Sequence, residues 1–144
     1  MAGYVTDWAR DQIGYGQLNL TTAAIYWMLL TTAAATKQTT TVSTISSYEL
    51  SGSGYVGGYS GAGRLALAGR AHSYTANRAY ISATNPAWTL GNGLTVNQIV
   101  TWLKIASSDA VSYVISYETF PSTVTGNGAL WTYQINANGL WTLV

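Results

Sequence analysis

SYELSGSGYVGGYSGAGRLALAG, residues 47–69, decides how the rest of the chain is interpreted. Such a glycine-rich stretch can cradle a phosphate, link two domains or form a corner between β-strands. A dinucleotide-binding loop opens a helix and is followed by an acidic residue. Here Gly69 interrupts the following segment, no acid occurs before Asp109, and the Gly-Lys-Ser/Thr of a P-loop is absent. The stretch therefore predicts a β-corner, in which glycines provide left-handed or closely approached backbone.

Short apolar and β-branched segments, separated by Gly/Asn turns, make up most of the remaining chain. The predicted strand segments are 24–31, 63–71, 78–84, 94–107, 111–118, 129–136 and 140–144. The dipeptides Asn92-Gly93, Asn127-Gly128 and Asn138-Gly139 are turn signals, and the last is the strongest hairpin signal. We predict an all-β fold, an antiparallel β-sandwich or barrel of about seven to eight short strands.

Helical periodicity is found only near the N-terminus. Residues 5–13 form the best candidate, with Thr6 or Asp7 as the N-cap. No linker divides the rest of the chain. We therefore predict an N-terminal arm or short helix over residues 1–17 and a single β-domain over residues 18–144.

The composition excludes several function classes. Charged residues are only 8% of the 144 residues and the net charge is +1, so no basic footprint for nucleic acid exists. The absence of cysteine removes disulfides, thiolate zinc sites and cysteine nucleophiles. The most apolar run, 23–30, is too short to span a bilayer. We expect neither a nucleic-acid nor a membrane partner, and a surface of Thr, Ser, Asn, Gly and Tyr suited to contact with neighbours.

Catalysis would require titratable groups that converge, and the chain has one His and five acids. His72 could act as a base for Ser73 or Ser82, but no acid is evident that would orient the imidazole. A glycosidase pair would have to be Glu49 with Glu118, which nothing in the sequence brings together.

Metal binding is similarly unsupported. Asp7 and Asp11 have an i,i+4 spacing that could hold a cation, yet Arg10 lies between them. With one His and no Cys, no set of three or four ligands occurs within a short span. We predict no catalytic, cofactor or metal site, and hence a protein that is not an enzyme.

The aromatic residues leave two interpretations open. The chain has 6 Trp and 11 Tyr, and exposed rings could stack on sugars in a lectin-like or receptor-binding module. The alternative, which we favour for most of them, is that the tryptophans on strands fill the core or subunit interfaces. Trp8 and the loop tyrosines are the best candidates for exposed rings.

Four stretches of the chain resemble a set of small virion proteins of tailed bacteriophages. The most specific are YELSGSGYVGG (48–58) and the ending of ALWTYQINANGLWTLV (129–144). LNLTTAAIYWMLLTT (18–32) and NPAWTL (85–90) match more loosely. The resemblance covers most of the chain from Leu18 onward. It implies a β-rich capsid or tail component without enzymatic activity, and capsid decoration (cement) is the role that we expect.

A cement protein on the capsid exterior would have the major capsid protein and further copies of itself as partners, the latter as a dimer or trimer. We expect the N-terminal arm, with Tyr4, Trp8 and Arg10, to lie across the capsid protein. We also expect Tyr55 and Tyr59 to pack against a neighbouring subunit. The alternative is a tail- or fibre-associated module that binds a receptor or glycan.

Overall fold

The computed structural model describes residues 3–75, 78–105, 107–136 and 140–143. In chain order the elements are β1 (Tyr4–Val5), α1 (Asp7–Gly14), β2 (Ile25–Leu30), β3 (Ala71–Thr75), β4 (Arg78–Ser82), β5 (Ala87–Thr89), β6 (Thr95–Leu103), β7 (Tyr113–Thr125), β8 (Leu130–Thr132) and β9 (Trp141–Leu143). Three short 3-10 turns cover Val42–Thr44, Ser46–Tyr48 and Asp109–Val111.

The strands form three antiparallel sheets. The main sheet has the order β1-β7-β6-β2, the second β3-β4-β9, and a two-stranded ribbon pairs β5 with β8. The arrangement is sandwich-like, and the described strands do not close into a barrel. The all-β prediction is confirmed, and the sandwich is the correct one of its two alternatives.

Both faces of the main sheet are buried. In β2, Ile25, Trp27 and Leu29 lie in one apolar cluster, whereas Met28 and Leu30 lie in another. Side chains alternate between the two faces of a strand, so a strand covered on both sides reads as a continuous apolar run. This is why IYWMLL lacks any polar alternation.

The larger cluster lies between the main sheet and the other two sheets. Its members include Trp27 of β2, Trp88 of β5, Ile81 of β4 and Trp141 of β9. Each of these side chains is almost fully buried. The predicted filling of the core by strand tryptophans is therefore correct for Trp27, Trp88 and Trp141.

The segment between β2 and the glycine-rich stretch covers the second face. Ala35, Val42 and Ile45 contribute its buried side chains. The buried amide of Gln98 in β6 holds this segment, accepting from the Ala35 N–H at 2.8 Å and donating to its carbonyl at 2.9 Å. The threonine-rich segment is thus the cover of a core, with its threonines largely on the outside.

Two predicted strands differ from those observed. The segment 63–71 forms only a single bridge, from Ala66 to Tyr26 of β2. Strand β7 continues to Thr125, beyond the predicted end. It contains a bulge, because Thr119 pairs with Gln98 while Val124, five residues later, pairs with Val96, only two residues away from Gln98. Pro121 lies within this bulge, where the lack of an N–H costs no ladder hydrogen bond.

The last two strands do not form a hairpin with each other. Strand β8 pairs with β5, and β9 pairs with β4 in a different sheet. The dipeptide Asn138-Gly139 lies outside the described residues. The hairpin expected from that dipeptide is therefore wrong in its pairing.

The N-terminal segment is a part of the β-domain. Helix α1 begins after the N-cap Thr6, whose hydroxyl accepts from the Ala9 N–H and donates to the Val114 carbonyl at 2.8 Å. Thr6 and Ala9 are fully buried, and β1 is the outermost strand of the main sheet. The predicted helix is confirmed, and Thr6 ties its start to β7. Within the described residues no helix is long and apolar enough to cross a membrane.

Candidate functional site

The N-terminal face, defined here as Tyr4, Trp8 and Arg10 with Lys37 and Tyr15, carries the most exposed aromatic surface near α1. Tyr4 is 53% exposed, and Tyr15, which the sequence prediction did not include, is 73% exposed. The Lys37 ammonium lies 5.2 Å from the centre of the Tyr4 ring. Arg10 is exposed on the helix. This face combines exposed rings with two cations.

Stacking on β7 fixes the geometry of two of the three aromatic residues in this face, Tyr4 and Trp8. Tyr4 stacks on Tyr117 with 5.6 Å between ring centres. Trp8 lies flat on Tyr113, at 4.3 Å and an interplanar angle of 7°. Burial, together with the neighbouring Tyr4, raises the pKa of Tyr117. The rings are therefore held in one orientation before any partner binds, which lowers the ordering cost of association.

Tyr55 is not a surface residue. Only 1% of it is exposed, its hydroxyl donates to Glu49 Oε1 at 3.0 Å, and the Leu29 N–H donates to that hydroxyl at 3.1 Å. Burial, reinforced by the Glu49 carboxylate, raises the pKa of Tyr55 above its ordinary range. The expectation that this ring packs against a neighbouring subunit is corrected, because the ring fills the core of its own domain.

The centre of the glycine-rich stretch is a buried ion cluster, here called the Arg64 clamp: Arg64, Glu49 and Asp109. The guanidinium donates to both Glu49 oxygens at 2.7 Å, and to the two Asp109 oxygens at 2.5 and 2.9 Å. Its side chain is 1% exposed. Burial alone would lower the pKa of Arg64, but the two carboxylates raise it, so the guanidinium stays charged.

Aromatic rings surround the clamp. The Arg64 guanidinium carbon lies 4.8 Å from the centre of the Trp102 ring. The ring centres of Tyr59 and Tyr26 lie 6.1 and 5.5 Å from that of the same indole. The Lys104 ammonium is 4.7 Å from the Tyr59 ring and 4.9 Å from the Tyr26 ring. Cations over ring faces are stabilised by the ring quadrupole, so this corner holds two cations with little exposed charge.

Tyr59 is half-buried in this arrangement. Its hydroxyl donates to the Ile105 carbonyl in the loop after β6. The indole Nε1 of Trp102, beneath it, is buried and has no hydrogen-bond partner among the described residues. Tyr59 was expected to contact a neighbouring subunit, and in this chain its ring contacts Trp102 and Lys104.

The structure does not bring the candidate catalytic groups together. Glu49 pairs with Arg64 rather than with Glu118, which accepts instead from the buried Tyr133 hydroxyl at 2.6 Å. His72 is exposed on β3, opposite Ile81 of β4. Among the described residues, no group of three or more His, Asp or Glu could hold a metal ion. Glu118 also raises the pKa of Tyr133, although burial is the larger cause.

Glu49 is the only acid in the glycine-rich stretch, and the sequence favours it as a hydrogen-bonding residue of the corner, but Arg64 and Asp109 were missed. In a strand over residues 63–71, Arg64 would lie on the face opposite Leu65 and Leu67, whereas it is buried. The available signal was a single Arg between a glycine run and an apolar run, in a chain with 8% charged residues. Such an Arg is buried only with acidic partners, and Glu49 is the nearest acid in sequence.

No family model matches the chain, and comparisons with curated proteins and with solved structures find no match either. The resemblance to phage virion proteins therefore stays a prediction from the quoted motifs.

Proposed function

We propose that the chain is a non-enzymatic structural protein of a tailed-bacteriophage virion, and that it decorates the exterior of the capsid as a cement protein. Its partners would be the major capsid protein and further copies of itself. In this role it acts by burying surface between shell subunits, without a soluble ligand or cofactor.

The observation that carries the proposal is the role of the most specific motif, YELSGSGYVGG. Glu49 and Tyr55, the two side chains of the motif that were considered for a site, are hydrogen-bonded to each other within the domain. Glu49 also accepts from the Gly58 N–H at 2.9 Å and from Arg64. A motif that builds a corner is expected to be shared by proteins with a common fold rather than a common reaction. This supports an assembly protein.

The hydrogen-bond partners of the acidic residues also support a structural role. Glu49 and Asp109 neutralise Arg64, and Glu118 accepts from Tyr133. These carboxylates are committed to holding the fold, whereas general acid–base catalysis needs groups that face a substrate.

The N-terminal face is the surface that we assign to the capsid contact. Its exposed rings, Tyr4 and Tyr15, can bury apolar area, and Arg10 and Lys37 can pair with carboxylates on the shell. A standard interface buries roughly 800 Å² on each partner. That is about a ninth of the 7200 Å² exposed by this chain, so one face of the domain suffices.

The alternative is a tail- or fibre-associated module that binds a receptor or glycan. Stacking on sugars requires exposed rings, and four tryptophans are buried (Trp27, Trp88, Trp102 and Trp141). Among the side chains that the structure describes, the exposed rings are those of Tyr4, Tyr15 and Tyr48. This makes the alternative the weaker of the two proposals.

A surface double substitution, Tyr4→Ser with Arg10→Glu, tests the capsid contact. Deleting residues 1–13 would be less informative, since it removes the buried Thr6 and Ala9. The wild type and variant are each mixed with shells of the major capsid protein encoded in the same phage genome. Sedimentation then gives the copies bound per shell. Leu130→Ser, at a residue that is 68% exposed on β8, is the matched control.

We expect the wild type and the Leu130→Ser control to sediment with the shells in many copies and the double variant to remain in the supernatant. Equal binding of the double variant would remove the N-terminal face from the interface. Wild-type protein that does not bind the shells but binds defined sugars on a glycan array would favour the alternative function. Light scattering of the free protein reports whether it forms the expected dimer or trimer.

A further inference from the structure

We propose that residues 56–62 form a strap that the charged Arg64 clamp closes over Trp102, and that loss of the two carboxylate charges releases it. The proposal concerns the fold of the chain itself and does not depend on the virion role. It rests on the way in which one charge cluster joins three separate parts of the chain.

The clamp connects segments that are distant in sequence. Glu49 follows the 3-10 turn 46–48, Arg64 follows the strap, and Asp109 lies in the 3-10 turn between β6 and β7. The guanidinium donates to both carboxylates and so joins all three segments. A change in its partners therefore affects all three at once.

The strap itself is a closed loop with fixed ends. Tyr55, before it, is buried, and Trp88 Nε1 donates to the carbonyl of Gly63, after it, at 2.8 Å. The Gly63 N–H donates to the Val56 carbonyl, so the two ends are also joined to each other. The loop between them can therefore move without displacing the core.

Contacts from the strap to the rest of the domain are few. The Gly58 N–H donates to Glu49 Oε2 at 2.9 Å, and the Tyr59 hydroxyl donates to the Ile105 carbonyl. The Tyr59 ring contacts Trp102 and Lys104. The Gly61 N–H donates to the Gly58 carbonyl within the strap, and the Arg64 N–H donates to the Gly61 carbonyl at 3.1 Å. Glu49 is thus both a member of the clamp and an anchor of the strap.

The negative charges of the two carboxylates hold the cluster together. The groups that face them are the Arg64 guanidinium and the Tyr55 hydroxyl, and the Lys104 ammonium and Tyr59 hydroxyl lie on the neighbouring strand and strap. Arginine stays charged throughout the accessible pH range. Neutral side chains at positions 49 and 109 would leave a buried guanidinium without counter-charge, which is strongly unfavourable. The cluster would relieve this by letting water reach Arg64, and the strap would open.

Opening uncovers a defined surface. Trp102 loses the cover of Tyr59 and Arg64, and its unpartnered Nε1 becomes available to an acceptor. Tyr26 and Lys104 lie beside it. The open state therefore presents an aromatic, cationic surface that the closed state hides.

Trypsin provides a local measure of opening, because it cleaves after Arg64 only when that residue leaves the clamp. The variant Glu49→Gln with Asp109→Asn replaces both carboxylates by neutral amides of nearly the same shape. We expect cleavage after Arg64 to rise about tenfold or more in it. Cleavage after the exposed Arg10 and Lys37 provides an internal control, and Glu118→Gln, which changes a carboxylate bound to Tyr133, should leave the Arg64 rate at the wild-type value.

Asp109→Asn alone serves if the double variant does not fold, since Asp109 is the more exposed carboxylate, at 18% of its side chain. It should give a smaller rise. Unchanged cleavage after Arg64 in a folded variant would overturn the proposal. So would a rise that occurs equally at all sites, since that indicates global unfolding.

Hydrogen exchange supplies a second local test. Exchange of residues 56–62 and of β6 is compared between the wild type and the double variant. We expect protection of the strap to be lower in the variant while that of β6 is kept. Equal strap protection in the two proteins would contradict the proposal.

Discussion

Trp141 Nε1 donates a hydrogen bond to Ser116 Oγ at 2.8 Å, joining β9 of the second sheet to β7 of the main sheet. The same serine oxygen lies 2.6 Å from the hydroxyl of Thr101 in β6. All three side chains are buried. One hydroxyl therefore satisfies the polar groups of two other elements at the centre of an otherwise apolar interface between sheets.

Replacing this hydroxyl should destabilise the sandwich. Ser116→Ala leaves the Trp141 N–H and the Thr101 hydroxyl unpaired in the core. An unsatisfied buried polar group costs about 1–3 kcal/mol, and we expect a loss of about 2–4 kcal/mol in the free energy of unfolding. Urea unfolding followed by tryptophan fluorescence measures it. Ser122→Ala, at an exposed position in the β7 bulge, should change stability by less than about 0.5 kcal/mol; equal losses in the two variants would contradict the assignment.

Local patterns in the sequence predicted what local physics determines. The apolar run of β2 and the capped helix α1 were recognised because strand burial and N-capping depend on residues close in sequence. The pairing of β8 and β9 with β5 and β4 was missed, since a turn dipeptide carries no information about partners 41 or more residues away in sequence. Sheet pairing is decided by long-range burial.

The residues of the candidate site also divide into those that local sequence placed correctly and those that it did not. Tyr4 and Arg10, which we assign to a capsid contact, are exposed, and Trp8 is half-buried. Tyr55 was misplaced because a tyrosine between glycines looks like a loop residue. Its burial depends on two contacts, with Leu29 and Glu49, of which the first requires the strand next to it. The Arg64 clamp needs Asp109, 45 residues further on, and no local pattern predicts that partner.

Gln98 should be essential for holding the segment that covers the second face of the main sheet. Its amide makes both hydrogen bonds to Ala35 and a third, at 2.9 Å, to the Thr119 hydroxyl. Gln98→Leu keeps a side chain of similar size but leaves the Ala35 backbone groups unpaired. We expect a loss of about 2–4 kcal/mol, measured by urea unfolding.

The matched control for this change is Gln17→Leu, at an exposed position. It should shift stability by less than about 0.5 kcal/mol. Hydrogen exchange adds a local readout, because the Ala35 N–H should lose protection in the Gln98 variant. Retained protection there would show that the amide does not hold the segment.

Alanine substitutions at two glycines of the corner distinguish the cost of a strained backbone from the cost of a steric clash. Gly54 and Gly58 both have positive φ, of 84° and 91°. A Cβ on Gly54 would lie 1.7 Å from the Thr89 carbonyl oxygen, whereas one on Gly58 would meet nothing within 4 Å. Gly58→Ala should cost roughly 1–2 kcal/mol from the left-handed backbone alone. Gly54→Ala should cost about 1–3 kcal/mol more, because the β5 backbone must move.

Thermal unfolding of the two alanine variants, side by side, measures this difference. The lower midpoint should belong to Gly54→Ala. Equal midpoints would indicate that the contact between the corner and β5 is loose.

Alkaline pH should destabilise the protein through its buried tyrosines. Burial, and to a lesser extent the nearby Glu118, raises the pKa of Tyr133. Burial, and then Glu49, likewise raises the pKa of Tyr55. The unfolded chain ionises tyrosine near pH 10, while the folded chain keeps both hydroxyls neutral. Their contribution is therefore complete below about pH 10 and is lost as the pH rises towards the folded-state values, at about 1.4 kcal/mol per pH unit for each tyrosine.

Urea unfolding at a series of pH values above about 10 measures this slope. Tyr133→Phe removes one ionisable group, and it should reduce the slope by about 1.4 kcal/mol per pH unit. Tyr15→Phe is the matched control, because that ring is 73% exposed and meets water in both states. Phenolate absorbance should show two tyrosines that ionise only as the fold is lost. A slope that Tyr133→Phe leaves unchanged would mean that Tyr133 ionises in the folded protein, with its contact to Glu118 broken.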